Sequence, residues 1–150
     1  YDFNIGQHMK ISPGLGYSAN SGQPTNYYGA HELYGANEIF ILPRGAGERL
    51  PWFHRFDLHV GFMAKLDETY SVEITGDVFN LFNFQGVTGM DQTYTFAEVA
   101  PLEGGSADDL DNLTYVDGEP FNEADYNVNF GNPNRYQAPL TVRLGIRLTF

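Results

Sequence analysis

The feature that most constrains this chain is the strict alternation of apolar and polar residues over positions 140–150. The apolar residues of this segment are Leu140, Val142, Leu144, Ile146, Leu148 and Phe150. Because successive side chains of a strand point to opposite faces, these six share one face, and the other face carries Arg143 and Arg147. A soluble sheet buries its apolar face in a core, whereas a membrane barrel turns that face to lipid. The length fits both, since a tilted strand crosses a bilayer in roughly 9 to 11 residues.

Two further alternating segments, residues 55–65 and 70–80, predict a β-hairpin. The polar residues 67–69 form a short turn between them. A three-residue loop sets Leu66 opposite Tyr70, and the apolar faces of the two strands then coincide, whereas a slip of one residue would oppose apolar to polar positions.

Two long segments without sustained alternation separate the predicted strands. Residues 21–54 consist mostly of turn-forming residues. Residues 84–138 form a connection of about 55 residues, and a loop of that length is usually functional or disordered. A first strand is expected near residues 10–20, although Pro13 weakens its start. Short turns at one end and long loops at the other are typical of transmembrane barrels.

The charges of the terminal strand predict its register against the preceding strand. If Phe150 lies opposite Tyr70, antiparallel pairing places Arg147 opposite Glu73 and Arg143 opposite Asp77. Such pairs would neutralise the polar face, as a barrel lumen with limited water favours. The alternative is that charged residues simply alternate along any amphipathic sheet.

Composition excludes several classes of protein. The net charge of −11 argues against a nucleic-acid partner, and ten acidic residues against one basic residue lie between positions 84 and 138. The chain has no cysteine, which excludes disulfides and thiolate metal sites. No stretch approaches the roughly 20 apolar residues of a spanning helix. The chain starts without methionine or signal peptide, so we expect a fragment or a processed product.

The sequence offers little evidence of catalysis. The four histidines lack metal-ligand spacing, and no nucleophile elbow or phosphate-binding loop is present. Asp108, Asp109 and Asp111 could supply oxygen ligands to calcium, but a solvated acidic loop is the favoured interpretation. We therefore predict a non-enzymatic protein without a cofactor, with calcium in the acidic loop as the alternative.

Residues 77–83, Asp-Val-Phe-Asn-Leu-Phe-Asn, precede a long loop and a final strand that ends Gly-Ile-Arg-Leu-Thr-Phe. This arrangement resembles the C-terminal part of TonB-dependent outer-membrane receptors. Residues 39–45 and 51–60 resemble the same region in large members with a carboxypeptidase-regulatory-like N-terminal domain. The resemblance implies an all-β fold: an antiparallel transmembrane β-barrel segment with long extracellular loops, made of about four C-terminal strands of a barrel of about 22.

The resemblance also implies a function and partners. The whole receptor would take up a scarce ligand across the bacterial outer membrane, using energy passed through the TonB system and the missing N-terminal part. Its other partners would be outer-membrane lipid and lipopolysaccharide, the remaining barrel strands and plug, and the barrel assembly machinery. The alternatives are an autonomous extracellular β module that binds carbohydrate or a surface partner, and a structural component of a surface assembly.

Residue roles follow from the same resemblance. The assembly signal would comprise Leu144, Ile146, Leu148 and Phe150, and the lumen ion pairs would be Glu73 with Arg147 and Asp77 with Arg143. Arginine at Leu144 or Ile146 would be costly on a lipid-facing surface, whereas arginine at Thr141 or Gly145 would cost less if the lumen has room.

Overall fold

A computed structural model describes residues 2–150 of the chain. It contains ten described strands, numbered in chain order: β1 Phe3–Ile5, β2 Met9–Asn20, β3 Tyr28–His31, β4 Gly35–Phe40, β5 Phe53–Lys65, β6 Ser71–Phe79, β7 Val87–Met90, β8 Thr93–Glu98, β9 Pro133–Tyr136 and β10 Thr141–Thr149. Two short 3-10 helices span Ala107–Asn112 and Glu123–Asp125. Across residues 2–150, no helix is both long and apolar enough to span a membrane.

The chain divides into two compact units. The sheet unit comprises residues 2–20, Trp52–Gly86 and Gln137–Phe150, and the loop unit comprises Ser21–Pro51 and Val87–Tyr136. The long loops predicted at 21–54 and 84–138 therefore have slightly narrower bounds. The residues at their margins belong to the sheet unit.

Five strands form the antiparallel sheet of the sheet unit, in the order β1-β2-β5-β6-β10. The predicted count of about four strands is thus too low, because β1 has only three residues and cannot show alternation. A tight turn with Gly6 at φ 67° joins β1 to β2, a conformation that glycine adopts without steric cost.

The hairpin of β5 and β6 has the expected three-residue loop. The N–H of Leu66 donates to the Tyr70 carbonyl oxygen at 2.9 Å. Within the turn, Asp67 Oδ1 accepts hydrogen bonds from the N–H groups of Thr69 and Tyr70, each at 2.7 Å. A side chain that bonds its own following backbone fixes the turn, and the turn fixes the strand register.

One face of this sheet is continuously apolar. Leu58 on β5 lies opposite Val78 on β6, and Ile74 lies opposite both Phe62 and Ile146 on the flanking strands. The apolar side chains of β10 are exposed, with Leu144 at 78% and Ile146 at 74%. The outer part of the apolar face is therefore without a second layer over it in the described chain.

The connections of the sheet differ at its two ends. The turns at residues 6–8 and 67–69 lie at one end, and the N–H of Lys65 donates to the His8 carbonyl oxygen there. Both long segments leave and rejoin the sheet at the other end, where Asn20 pairs with Phe53 and the N–H of Gln137 donates to the Gly86 carbonyl oxygen at 2.8 Å.

The loop unit is ordered around a small core of its own. Its fully buried apolar side chains are Ile41, Leu42, Val99 and Leu113. A three-stranded sheet in the order β4-β3-β8 includes a parallel pair, β3 with β8, and β7 pairs with β9. The apolar run at 39–42 supplies the end of β4 and two of the core residues.

Candidate functional site: a charged strand ladder and a loop cleft

The polar face of the sheet carries a three-strand cluster centred on Asp77. His59 on β5, Asp77 on β6 and Arg143 on β10 occupy one register line. Arg143 Nη2 and Nε each lie 2.9 Å from Asp77 Oδ2, and His59 Nδ1 lies 2.6 Å from Asp77 Oδ1. Both carboxylate oxygens are thus engaged, each by a different neighbouring strand.

A second ion pair lies on the same face, nearer the short-turn end. The structure sets Arg147 opposite Glu73, with Arg147 Nη1 and Glu73 Oε2 3.3 Å apart. These are the two pairs expected from the alternation. Their place in a barrel lumen stays a prediction.

Small residues fill the polar face between the two ion pairs. Thr75 lies opposite Gly61 on β5 and Gly145 on β10. A Cβ atom at Gly145 would lie 2.6 Å from Thr75 Oγ1, closer than real Cβ atoms approach their neighbours. The Thr75 side chain would therefore have to move to make room for a larger residue at Gly145, and the expectation that arginine costs less there than at Leu144 or Ile146 stays a prediction.

Asn80, which follows β6, organises the long-loop end of the sheet. Its Nδ2 donates to the carbonyl oxygens of Phe84 at 2.9 Å and Ala138 at 2.7 Å, and its Oδ1 accepts from the N–H of Phe84 at 3.0 Å. Asn83 Oδ1 accepts from the N–H of Leu140 at 3.0 Å, just before β10. Sequence reasoning noticed the Asn-Leu-Phe-Asn motif but missed that its amides position the last strand.

The proposed assembly-signal residues all belong to the same edge of the sheet. Leu144, Ile146 and Leu148 lie on the apolar face of β10, which pairs with β6 alone among the described strands. Phe150 follows the strand and is 90% exposed. Their position is known from the structure, whereas their recognition by an assembly machinery remains a prediction.

The three candidate calcium ligands lie in one short 3-10 helix. Asp108, Asp109 and Asp111 belong to the helix Ala107–Asn112. Asp109 Oδ2 accepts from the backbone N–H of Ser106 at 2.7 Å and from its Oγ at 2.9 Å, and these hydrogen bonds lower the pKa of the Asp109 carboxyl. Over residues 2–150, no three His, Cys, Asp or Glu side chains converge on a point where a metal ion would bind.

The loop unit also contains a half-open cleft of about 510 Å³. Its lining residues are Tyr94, Leu110, Asp111, Phe121, Glu123 and Tyr126. Of the calcium candidates, only Asp111 lines it. Sequence reasoning did not identify this cleft, since its residues come from separate elements with no common spacing.

The geometry defines a class of protein. An antiparallel sheet with an exposed apolar face, a charged opposite face, short turns at one end and long insertions at the other is typical of a segment of a transmembrane β-barrel. Comparison with known proteins agrees with this class. The chain is 46% identical, over 159 aligned positions, to the TonB-dependent transporter Oar of Myxococcus xanthus.

This alignment covers 99% of the chain, so the chain belongs to the TonB-dependent receptors, of which it is a barrel segment. The resemblance drawn from the sequence is thereby confirmed, as is the all-β class. The chain spans about 15% of the length of that relative. No family model matches the chain, and no solved structure matches it.

Proposed function

We propose that this segment forms the C-terminal wall and outer loops of a TonB-dependent transporter in the bacterial outer membrane. The observation that carries the proposal is the two-faced sheet, whose β10 exposes Leu144 and Ile146 on one face and holds two ion pairs on the other. The whole receptor takes up a scarce ligand with energy passed through TonB. The role of this segment is structural and ligand-contacting, without catalysis or a cofactor.

The proposed partners follow from the surfaces of the sheet. Lipid and lipopolysaccharide cover the apolar face, and the plug lies on the side of Asp77 and Arg143. The free backbone edge of β10 requires a further barrel strand, since hydrocarbon does not tolerate unpaired N–H and C=O groups. The barrel assembly machinery recognises the residues around Phe150, and TonB acts through the N-terminal part of the receptor.

The test introduces arginine at two positions of similar depth in the proposed membrane, one on each face of the sheet. Ile146→Arg places a charge on the face assigned to lipid, and we expect it to destabilise the folded receptor by about 2 to 4 kcal/mol. Thr75→Arg is the control, because it lies on the polar face between two glycines and beside Ile74 in the sequence. Both variants are measured in the full receptor, by unfolding in lipid vesicles and by yield in isolated outer membranes.

The result expected is a loss of stability and yield for Ile146→Arg with a much smaller change for Thr75→Arg. Equal tolerance of arginine at both positions would show that neither face is in contact with hydrocarbon, and the membrane assignment would then be rejected.

A further inference from the structure

The cleft in the loop unit is built by separate elements between residues 94 and 126. Tyr94 comes from β8, Asp111 from the helix Ala107–Asn112 and Glu123 from the helix Glu123–Asp125, while Phe121 and Tyr126 flank the second helix. Its volume of about 510 Å³ lies within the range of small-molecule sites, roughly 300 to 1,000 Å³. The cleft is therefore large enough for a ligand or for one side chain of a larger ligand.

Three aromatic rings converge at this cleft. The ring centroids of Tyr94 and Tyr126 are 5.1 Å apart in an edge-to-face arrangement, and those of Tyr94 and Phe121 are 5.9 Å apart and tilted. Differently inclined rings present a π-face in more than one direction, and a cation within about 6 Å of such a face is attracted by the ring quadrupole.

Two carboxylates at the cleft have no compensating charge. In the hydrogen bonds and ion pairs of residues 2–150, the Asp111 and Glu123 carboxylates have no partner, whereas the neighbouring Asp125 accepts from the Tyr115 hydroxyl at 2.5 Å. Burial raises the pKa of Tyr94, and the nearby negative charges, those of Asp111 and Glu123 among them, raise it further. The lining is thus both aromatic and negatively charged.

We propose that this cleft binds an alkylammonium group carried by the ligand of the receptor. Aromatic faces with adjacent carboxylates match an organic cation better than a hard metal ion, because calcium takes 6 to 8 oxygen ligands and this cleft offers two carboxylates. The inference rests on the proposed function in one respect, since the loop unit must face the outside to meet a ligand.

The test is isothermal titration calorimetry on the full-length receptor in a non-ionic detergent. The probes are choline and Nα-acetyl-lysine amide, each compared with a neutral counterpart, 3,3-dimethylbutan-1-ol and the Nε-acetylated lysine derivative. We expect at least one cation to bind about tenfold more tightly than its neutral counterpart. Preference for choline would identify a quaternary ammonium ligand, and preference for the lysine derivative would identify a basic peptide side chain.

Three variants locate the binding. Tyr126→Leu and Glu123→Gln should each weaken binding by about threefold to tenfold. Asp108→Asn removes the same charge from the loop unit outside the cleft, and should change affinity by less than about twofold. The proposal is overturned if neither cation binds, if the neutral counterparts bind equally well, or if Asp108→Asn weakens binding as much as Glu123→Gln.

Failure of this inference is distinguishable from failure of the proposed function. The comparison of Ile146→Arg with Thr75→Arg reports on membrane contact through the sheet unit and involves no ligand. A receptor that passes that test but binds neither cation would retain its barrel assignment and lose only the assigned ligand class.

Discussion

Asn80 has a left-handed backbone conformation, with φ 53°, and the residue is only 2% exposed. Both properties follow from its place directly after β6, where the chain turns sharply and the backbone groups of Phe84 and Ala138 need partners. Asparagine suits this position because it tolerates positive φ and its amide both donates and accepts hydrogen bonds.

Replacing Asn80 with aspartate is expected to destabilise the receptor although the shape hardly changes. The two carbonyl oxygens that accept from Asn80 Nδ2 would face a carboxylate oxygen instead of a donor, so two hydrogen bonds worth about 0.5 to 1.5 kcal/mol each would be lost. The control is Asn37→Asp, since Asn37 also has a positive φ and its Oδ1 accepts from Thr93 Oγ1, a role that aspartate keeps. Denaturant unfolding of both variants is the measurement; equal stabilities would contradict the role assigned to Asn80.

The Asp109 carboxyl gives a pH prediction at the same scale. Its pKa is lowered by the Ser106 backbone N–H first and by the Ser106 hydroxyl second. A lowered pKa in the folded state stabilises the helical turn above the ordinary aspartate pKa, and this contribution is lost as pH falls through the folded value.

Ser106→Ala should therefore raise the pKa of Asp109 part of the way to its ordinary value, because the backbone donor remains. The measurement is carboxyl ¹³C NMR of the receptor labelled at aspartate, with Thr114→Ala as a control substitution outside this hydrogen-bonded pair. An unchanged midpoint in Ser106→Ala would show that the hydroxyl does not contribute.

At the scale of elements, β6 pairs along its length with both β5 and β10. Its two carboxylates differ in their surroundings. The Asp77 side chain is 13% exposed and is shared between His59 and Arg143, whereas the Glu73 side chain is 34% exposed and meets Arg147 alone.

We expect Asp77→Ala to destabilise the sheet more than Glu73→Ala. Removing Asp77 leaves His59 and Arg143, on the two strands that flank β6, without their shared acceptor. An exposed pair such as Glu73 with Arg147 contributes about 0.2 to 1 kcal/mol. The measurement is the free energy of unfolding of each single variant. It is compared with that of the double variant Asp77→Ala with Arg143→Ala. A larger effect at Glu73 would reverse this ranking.

Much of this sheet could be predicted from sequence, for a physical reason. Period-2 alternation fixes which face each residue occupies, and the Asp67 turn fixes the offset between β5 and β6. Once Phe150 is set opposite Tyr70, the pairing of Arg143 with Asp77 follows by counting. Counting positions along the strands could not predict the three-residue strand β1 or the hydrogen bonds of Asn80. They depend on contacts that no local pattern records.

At the scale of the whole molecule, two units have separate sources of stability. The loop unit has the only described core in which apolar side chains are nearly solvent-free, with Ile41 and Val99 both at 0% exposure. Those residues are 58 positions apart in the numbering and follow no periodicity, and the parallel pairing of β3 with β8 has no sequence signal. Sequence analysis therefore predicted long loops and missed both their ordered core and their cleft.

Ile41→Ala is expected to loosen the loop unit by about 2 to 5 kcal/mol while the sheet unit keeps its structure. Protease added to intact cells should then cleave the loop unit faster, and the uncleaved receptor should retain its yield in outer membranes. Leu33→Ala, in the same unit but 77% exposed, is the matched control. Cleavage at the same rate in both variants would contradict the importance of this core.

The way in which both long segments rejoin the sheet has a consequence for how such receptors diversify. Each insertion returns to a residue hydrogen-bonded or paired with the one it left, Phe53 beside Asn20 and Gln137 beside Gly86. The length and sequence between these closure points can change without shifting the strands by a single residue. Evolution, or an engineer, can therefore exchange the loop unit while the strands of the sheet unit are inherited unaltered.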